Sequence, residues 1–102
     1  MKKLSLLALV LAFFAFTAMS AEWTGAISEA GCGLKHADGG PGAEKCVAKC
    51  VKGGAAPVFV TDGKVIKIAN ADKVMDHLGH KVKITGKLAG DTVTIDTIAM
   101  AQ

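Results

Sequence analysis

The clearest structural pattern is the alternation of apolar and polar residues near the end of the chain. It predicts two strands, Lys81–Leu88 and Thr92–Ile98, joined by a turn at Ala89-Gly90-Asp91. Gly86 lies on the inner face of the first strand and indicates a sharp bend there. The residues that the alternation places inside are Val82, Ile84, Leu88, Val93 and Ile95.

Shorter elements are predicted upstream of this pair of strands. In chain order they are strand Glu22–Ser28, loop 29–42, helix Ala43–Lys52, strands Pro57–Thr61 and Lys64–Ala69, and helix Ala71–Leu78. Asp62-Gly63 favours a two-residue hairpin, since both central positions of such a turn need positive φ. Asn70 is the predicted N-cap of the second helix, and Gly79 is its predicted end.

This element order predicts a mainly β protein with two short helices. Five strands in the arrangement β-(loop/α)-β-β-α-β-β match a small OB-like Greek-key barrel, with a helix between the third and fourth strands. The alternative is a sheet covered by helices on one side.

The N-terminal residues have the pattern of a secretory signal peptide. Lys2 and Lys3 precede an apolar run, Leu4–Met19, and small residues allow cleavage before Ala21 or Glu22. The run is shorter than the roughly 20 residues that a membrane-spanning helix needs. We therefore predict a signal peptide at residues 1–20 and one OB-like domain at 21–102, with a Cys/His insertion at 29–54. The mature protein is expected in the periplasm or outside the cell, with no membrane attachment.

Removing the leader changes what the composition implies. The formal net charge falls from +3 to +1, because Lys2 and Lys3 leave with it. Trp23 and Phe59 are then the remaining aromatic residues, too few for the stacking surfaces that bind single-stranded nucleic acid. No Ser-His-acid set or phosphate-binding glycine motif can be placed, so no catalytic residue is predicted. We expect a non-enzymatic protein without a nucleic-acid partner, and thiol redox activity stays open.

Three cysteines and a histidine form the segment with the most chemical content. Cys32 and His36 are four residues apart on the loop, and Cys46 and Cys50 are four apart on one face of the predicted helix. Three thiolates and one imidazole would suit zinc, and sulfur-rich sites also suit reduced copper. These four residues are the predicted metal ligands. A metal ion there would also stabilise a domain too small to depend on its core alone.

A disulfide is the alternative for the same cysteines. Exported cysteines usually pair, and three of them would form one bridge and leave one free thiol. Cys32 with Cys46 or with Cys50 fits disulfide geometry better than two cysteines on successive helical turns. The protein would then be a disulfide-stapled structural or interaction module that binds no metal. His77 and His80, three apart around Gly79, are interpreted as structural.

The chain resembles an uncharacterised family of small exported bacterial proteins. The resemblance rests on residues spread over the mature chain: Trp23-Thr24-Gly25 to Ser28, Cys32-Gly33, His36, Cys46, Cys50-Val51-Lys52-Gly53-Gly54, Phe59-Val60, Asp62-Gly63-Lys64-Val65, Ile68-Ala69-Asn70, and His77 to Gly86. It implies export, an OB-like β-barrel and a Cys-x3-His…Cys-x3-Cys segment. It names no activity and no ligand.

Overall fold

The computed structural model describes residues 20–101. Residues 1–19 of the predicted signal peptide therefore lie outside the described residues. The elements are β1 (Ala21–Glu29), a first 3-10 helix (Gly33–His36), α1 (Pro41–Lys52), β2 (Pro57–Thr61), β3 (Lys64–Ile68), a second 3-10 helix (Ala71–His77), β4 (Lys81–Ala89) and β5 (Thr92–Met100). Within this part of the chain, no helix has the length and apolar character needed to cross a bilayer.

The five strands form a mixed sheet that closes into a ring. The strand order is β1-β2-β3-β5-β4, and β4 returns to pair antiparallel with β1. All pairs are antiparallel except β3 with β5, which are parallel and joined at Lys67↔Thr92 and Ile68↔Val93. The mainly β content and the element order predicted from the sequence are confirmed.

The interior of the ring is filled by apolar side chains from all five strands and the second 3-10 helix. The buried cluster is Ile27, Phe59, Ile66, Val74, Val82, Ile84, Val93 and Ile95. Trp23 packs against this cluster while remaining partly exposed. Burial of these side chains provides most of the stabilisation that the hydrophobic effect can give to a domain of this size.

Asn70 completes the short β3–β5 junction, although the sequence predicts it as a helix cap. Its side chain makes no capping hydrogen bond. Instead Nδ2 donates to the Ile95 carbonyl oxygen at 2.8 Å, and Oδ1 accepts from the Ile95 N–H at 2.9 Å. The side-chain amide thus takes the place of a backbone partner for β5 beyond the last residue pair of β3 and β5. Asn70 is the N-cap residue as predicted, but its side chain does not cap the helix.

Strand β4 has the predicted bend at Gly86 but does not bury Leu88 as predicted. Gly86 lies at a register shift between β4 and β5, and an added Cβ there would overlap the Thr94 carbonyl oxygen, as expected for a bend. Leu88 was predicted inside but is 47% exposed. It shares the phase of Val82 and Ile84 but lies beside the 89–91 turn. Alternation gives the direction of a side chain and not whether another element covers it.

The predicted loop 29–42 contains the first 3-10 helix, and α1 begins at Pro41, two residues earlier than predicted. Proline suits this first helical position, since its missing N–H would be unpaired there anyway. The second predicted helix is present as a 3-10 helix. These differences lie at element ends and leave the chain order unchanged.

Candidate metal centre

Helix α1 lies against the ring through its buried face. Ala43 and Val47 on that face are buried, while Cys46 and Cys50 are half-buried. Gly79 permits a close approach at the start of the helix: an added Cβ at Gly79 would overlap the Glu44 backbone. The Gly40 N–H also donates to the Gly79 carbonyl oxygen at 3.2 Å. The helix that carries two cysteines is therefore fixed relative to the ring.

The loop that carries Cys32 is held by two buried side chains at the end of β1. The Ser28 hydroxyl donates to the Gly33 carbonyl oxygen at 2.8 Å. The Glu29 carboxylate accepts from the Gly31 N–H at 2.6 Å and from the Cys32 N–H at 3.0 Å. Ser28 and Glu29 are 0% and 1% exposed. The position of Cys32 is thus set by groups anchored in the sheet.

Three of the four predicted ligands meet between this loop and α1. Cys32, His36 and Cys46 each offer a ligand atom, and these atoms lie within 4.8 Å of one another. All three cysteines are free thiols. The His36 Nε2 atom is shielded from solvent and has no hydrogen-bond partner. His77 and His80 each have a similarly shielded, unpartnered Nδ1 atom, so His36 is distinguished by the two thiols that converge with it.

Cys50 lies near this group without belonging to the 4.8 Å set. It is one helical turn beyond Cys46, and its thiol interacts with the side chains of Cys46 and Glu29. Burial, followed by the negative charge of Glu29, raises the pKa of Cys50 above its usual value. Of the four predicted ligands, Cys50 is therefore the one that lies outside the converging group.

Glu29 is the site residue that the sequence did not reveal. Its hydrogen bonds with the Cys32 side chain and with two backbone N–H groups lower its pKa, although burial opposes this. Residues 20–101 place no lysine or histidine within salt-bridge distance of Glu29. The sequence pattern ends the first strand at Ser28 and therefore places Glu29 in the loop. The extra residue of β1 turns this carboxylate inward.

The same carboxylate controls the nearest thiol. Its hydrogen bond with Cys32, assisted by burial and by its charge, raises the pKa of Cys32 to about 11. The metal-free site thus holds Cys32 protonated at neutral pH. A cation would displace that proton and provide the positive charge that the buried carboxylate lacks.

His77 and His80 lie apart from this cluster, near the start of α1. Their rings are edge to face with centroids 5.8 Å apart, and His80 Nε2 is 3.7 Å from a Glu44 carboxylate oxygen. The backbone of His80 also bonds to Ile27, since the Ile27 N–H donates to its carbonyl oxygen. The structural interpretation of this pair stays a prediction.

Comparison of the chain with protein-family models, with curated proteins and with solved structures finds no significant match. The chemistry of the site must therefore be inferred from its own residues. Two thiols, an imidazole nitrogen without a partner and a nearby third thiol form a donor set suited to a soft or borderline cation.

Proposed function

We propose that the protein is a small exported, non-enzymatic binding domain that holds a metal ion through Cys32, His36 and Cys46. Cys50 is the proposed fourth ligand. Zinc or cuprous copper fits the donors, because thiolates and imidazole bind both.

The observation that carries this proposal is the convergence of Cys32, His36 and Cys46, whose ligand atoms lie within 4.8 Å of one another. The His36 ring also has a buried Nε2 atom without a hydrogen-bond partner. A metal ion bound by these residues would bridge the Cys32 loop to α1. The buried carboxylate of Glu29 also favours a positive charge at this place. Within residues 20–101 no lysine or histidine lies within salt-bridge distance of it, although the hydrogen bond with Cys32 and, to a smaller extent, the charge of His36 lower its pKa.

The OB-like barrel and export belong to the same proposal. The strand order β1-β2-β3-β5-β4, with a helix between β3 and β4, supports an OB-like assignment. The leader pattern at residues 1–20 supports export, as does the resemblance to small exported bacterial proteins.

The test is metal binding by the mature chain, purified without oxidation. Native mass spectrometry after addition of zinc or of cuprous ion should show one bound ion per chain. Alkylation of the denatured, metal-free protein should modify all three cysteines. His36→Ala should weaken zinc binding by at least about a hundredfold, since one residue that binds the metal directly is lost.

His80→Ala is the matched control. It removes a histidine that is equally shielded at one ring nitrogen but lies away from the thiols, so zinc affinity should stay within about threefold. An exported protein whose mass is two units low, with a single alkylatable cysteine and no bound metal, would instead establish the disulfide-stapled module. Equal loss of zinc binding in both histidine variants would also contradict the proposed ligand set.

A further inference from the structure

The Glu29 carboxylate lies where it must interact with any ion at the proposed metal centre. It is 1% exposed, it holds the N–H groups of Gly31 and Cys32, and its side chain hydrogen-bonds with the Cys32 thiol. Because its two oxygens are already used by this loop, its position is fixed before a metal arrives. Its charge therefore acts on the ion at a set distance.

Binding of a metal ion replaces thiol protons, and this fixes the charge that Glu29 faces. For an ion of charge n, the reaction is Mⁿ⁺ + 2 RSH → M(SR)₂ with charge n − 2, plus 2 H⁺, and the neutral His36 contributes a lone pair. A divalent ion leaves a neutral group, whereas a monovalent ion leaves one net negative charge. If Cys50 also loses its proton, both products become more negative by one, and the difference between them stays one unit.

We propose that Glu29 is a specificity-determining residue that biases this site toward a divalent ion and against a monovalent one. The inference rests on the proposed metal-binding function. With the same thiolates bound, the monovalent product carries one more negative charge than the divalent product beside the buried carboxylate. This additional like charge is disfavoured because the carboxylate is shielded from water and, in the part of the chain that the structure describes, has no salt-bridge partner.

The size of the effect follows from Coulomb's law. Two unit charges about 5 Å apart change the ratio of the two affinities by about fourfold in bulk water and by more than about a hundredfold at the effective dielectric of a protein surface. A change of at least about tenfold is therefore expected beside a shielded carboxylate. The ratio is the quantity to measure, since thiolates bind cuprous ion strongly in any protein. Zn²⁺ and Cu⁺ have the same number of electrons, so they form a suitable pair. Cd²⁺ and Ag⁺ provide a second pair of the same kind.

The experiment is anaerobic exchange of Zn²⁺ for Cu⁺ on the mature chain, with each ion held by a chelator of known affinity. The exchange involves only the two loaded forms, so a variant that folds poorly without metal can still be measured. Glu29→Gln removes the charge and keeps a hydrogen-bond acceptor. It should lower the ratio of zinc to cuprous affinity by at least about tenfold, and Cd²⁺ with Ag⁺ should give the same direction.

Two variants separate charge from positioning. Glu29→Asp keeps the charge with a shorter side chain, so the ratio should remain within about twofold of the wild type even where both affinities fall. Glu22→Gln makes the same chemical change at the exposed start of β1, roughly 20 Å away, and should leave the ratio unchanged.

The inference is overturned if Glu29→Gln binds both ions with the wild-type ratio, or if Glu29→Asp lowers the ratio as much as Glu29→Gln does. Either result leaves the metal site itself in place. A wild-type chain that binds neither zinc nor cuprous ion would overturn the proposed function, and the inference with it.

Discussion

The side chain of Asn70 replaces a missing strand partner, and removing it should destabilise the whole ring. In Asn70→Ala, the Ile95 N–H and carbonyl oxygen lose their partners at the point where β3 no longer pairs with β5. Ile95 is 2% exposed, so water can replace these bonds only in part. An unsatisfied buried polar group costs about 1–3 kcal/mol, which gives a total loss of about 2–6 kcal/mol for the pair.

Equilibrium unfolding in urea measures this loss. Trp23 is the single tryptophan of the chain and packs against the core, so its fluorescence should follow the opening of the ring. The reference is Thr94→Val, a change between β-branched residues at an exposed position of β5, which should alter the free energy of unfolding by less than about 0.5 kcal/mol.

Asn70→Asp provides a sharper version of the same experiment. The introduced carboxylate keeps an acceptor for the Ile95 N–H but faces the Ile95 carbonyl oxygen with a second oxygen. At pH 7 this variant should be at least as unstable as Asn70→Ala. Its deficit should shrink at acidic pH, because a protonated carboxyl can donate again. The reasoning is refuted if Asn70→Ala costs less than about 0.5 kcal/mol, or if Asn70→Asp matches the wild type at pH 7.

Three further predictions concern the site and its supports. Gly79→Ala should cost at least about 2 kcal/mol more than Gly63→Ala in urea unfolding, because φ is +78° and +73° at these positions but only at Gly79 would a Cβ overlap the α1 backbone. Equal costs would contradict this close approach. In the metal-free protein, stability should be full below pH 9 and fall as the pH rises toward 11, because folding raises the pKa of Cys32 to about 11, and Cys32→Ser should reduce that fall to the part that comes from the raised pKa of Cys50. A wild-type unfolding curve that is flat between pH 9 and 11 would exclude the raised pKa. Ser28→Ala should reduce zinc affinity severalfold, since its hydroxyl holds the Gly33 carbonyl oxygen at 2.8 Å, and unchanged affinity would show that the loop needs no such anchor.

Much of the fold follows from short-range pattern. The Asp62-Gly63 turn has φ values of +49° and +73°, as the hairpin prediction requires, and the alternation in β4 and β5 correctly places Val82, Ile84, Val93 and Ile95 inside. Such features depend on neighbouring residues alone. The ring closes where β1 pairs with β4, and this pairing joins residues far apart in the chain. The sequence predicts it only indirectly, because the order of strands and helices matches a barrel.

The site was predicted in part for the same reason. Cys32 and His36 are four residues apart, as are Cys46 and Cys50, and this spacing predicted that the four side chains could converge. The structure brings the first three together. Glu29 was missed because its role depends on one extra residue of β1 and on contacts with the backbone of the loop. The role of Asn70 was missed because a side chain that bonds across to β5 resembles a helix cap in sequence.

The segment 30–56 leaves the sheet at Glu29 and returns at Pro57, and these two residues pair with each other. A metal bridge from residue 32 to residue 46 would roughly halve the chain length between the two paired strands. Halving a flexible connection changes the entropy of closing it by only about 0.6 kcal/mol. Shortening the connection would therefore do little by itself to bring β1 and β2 together. A metal ion would stabilise the fold mainly through its binding free energy, since the site that holds it exists only in the folded chain.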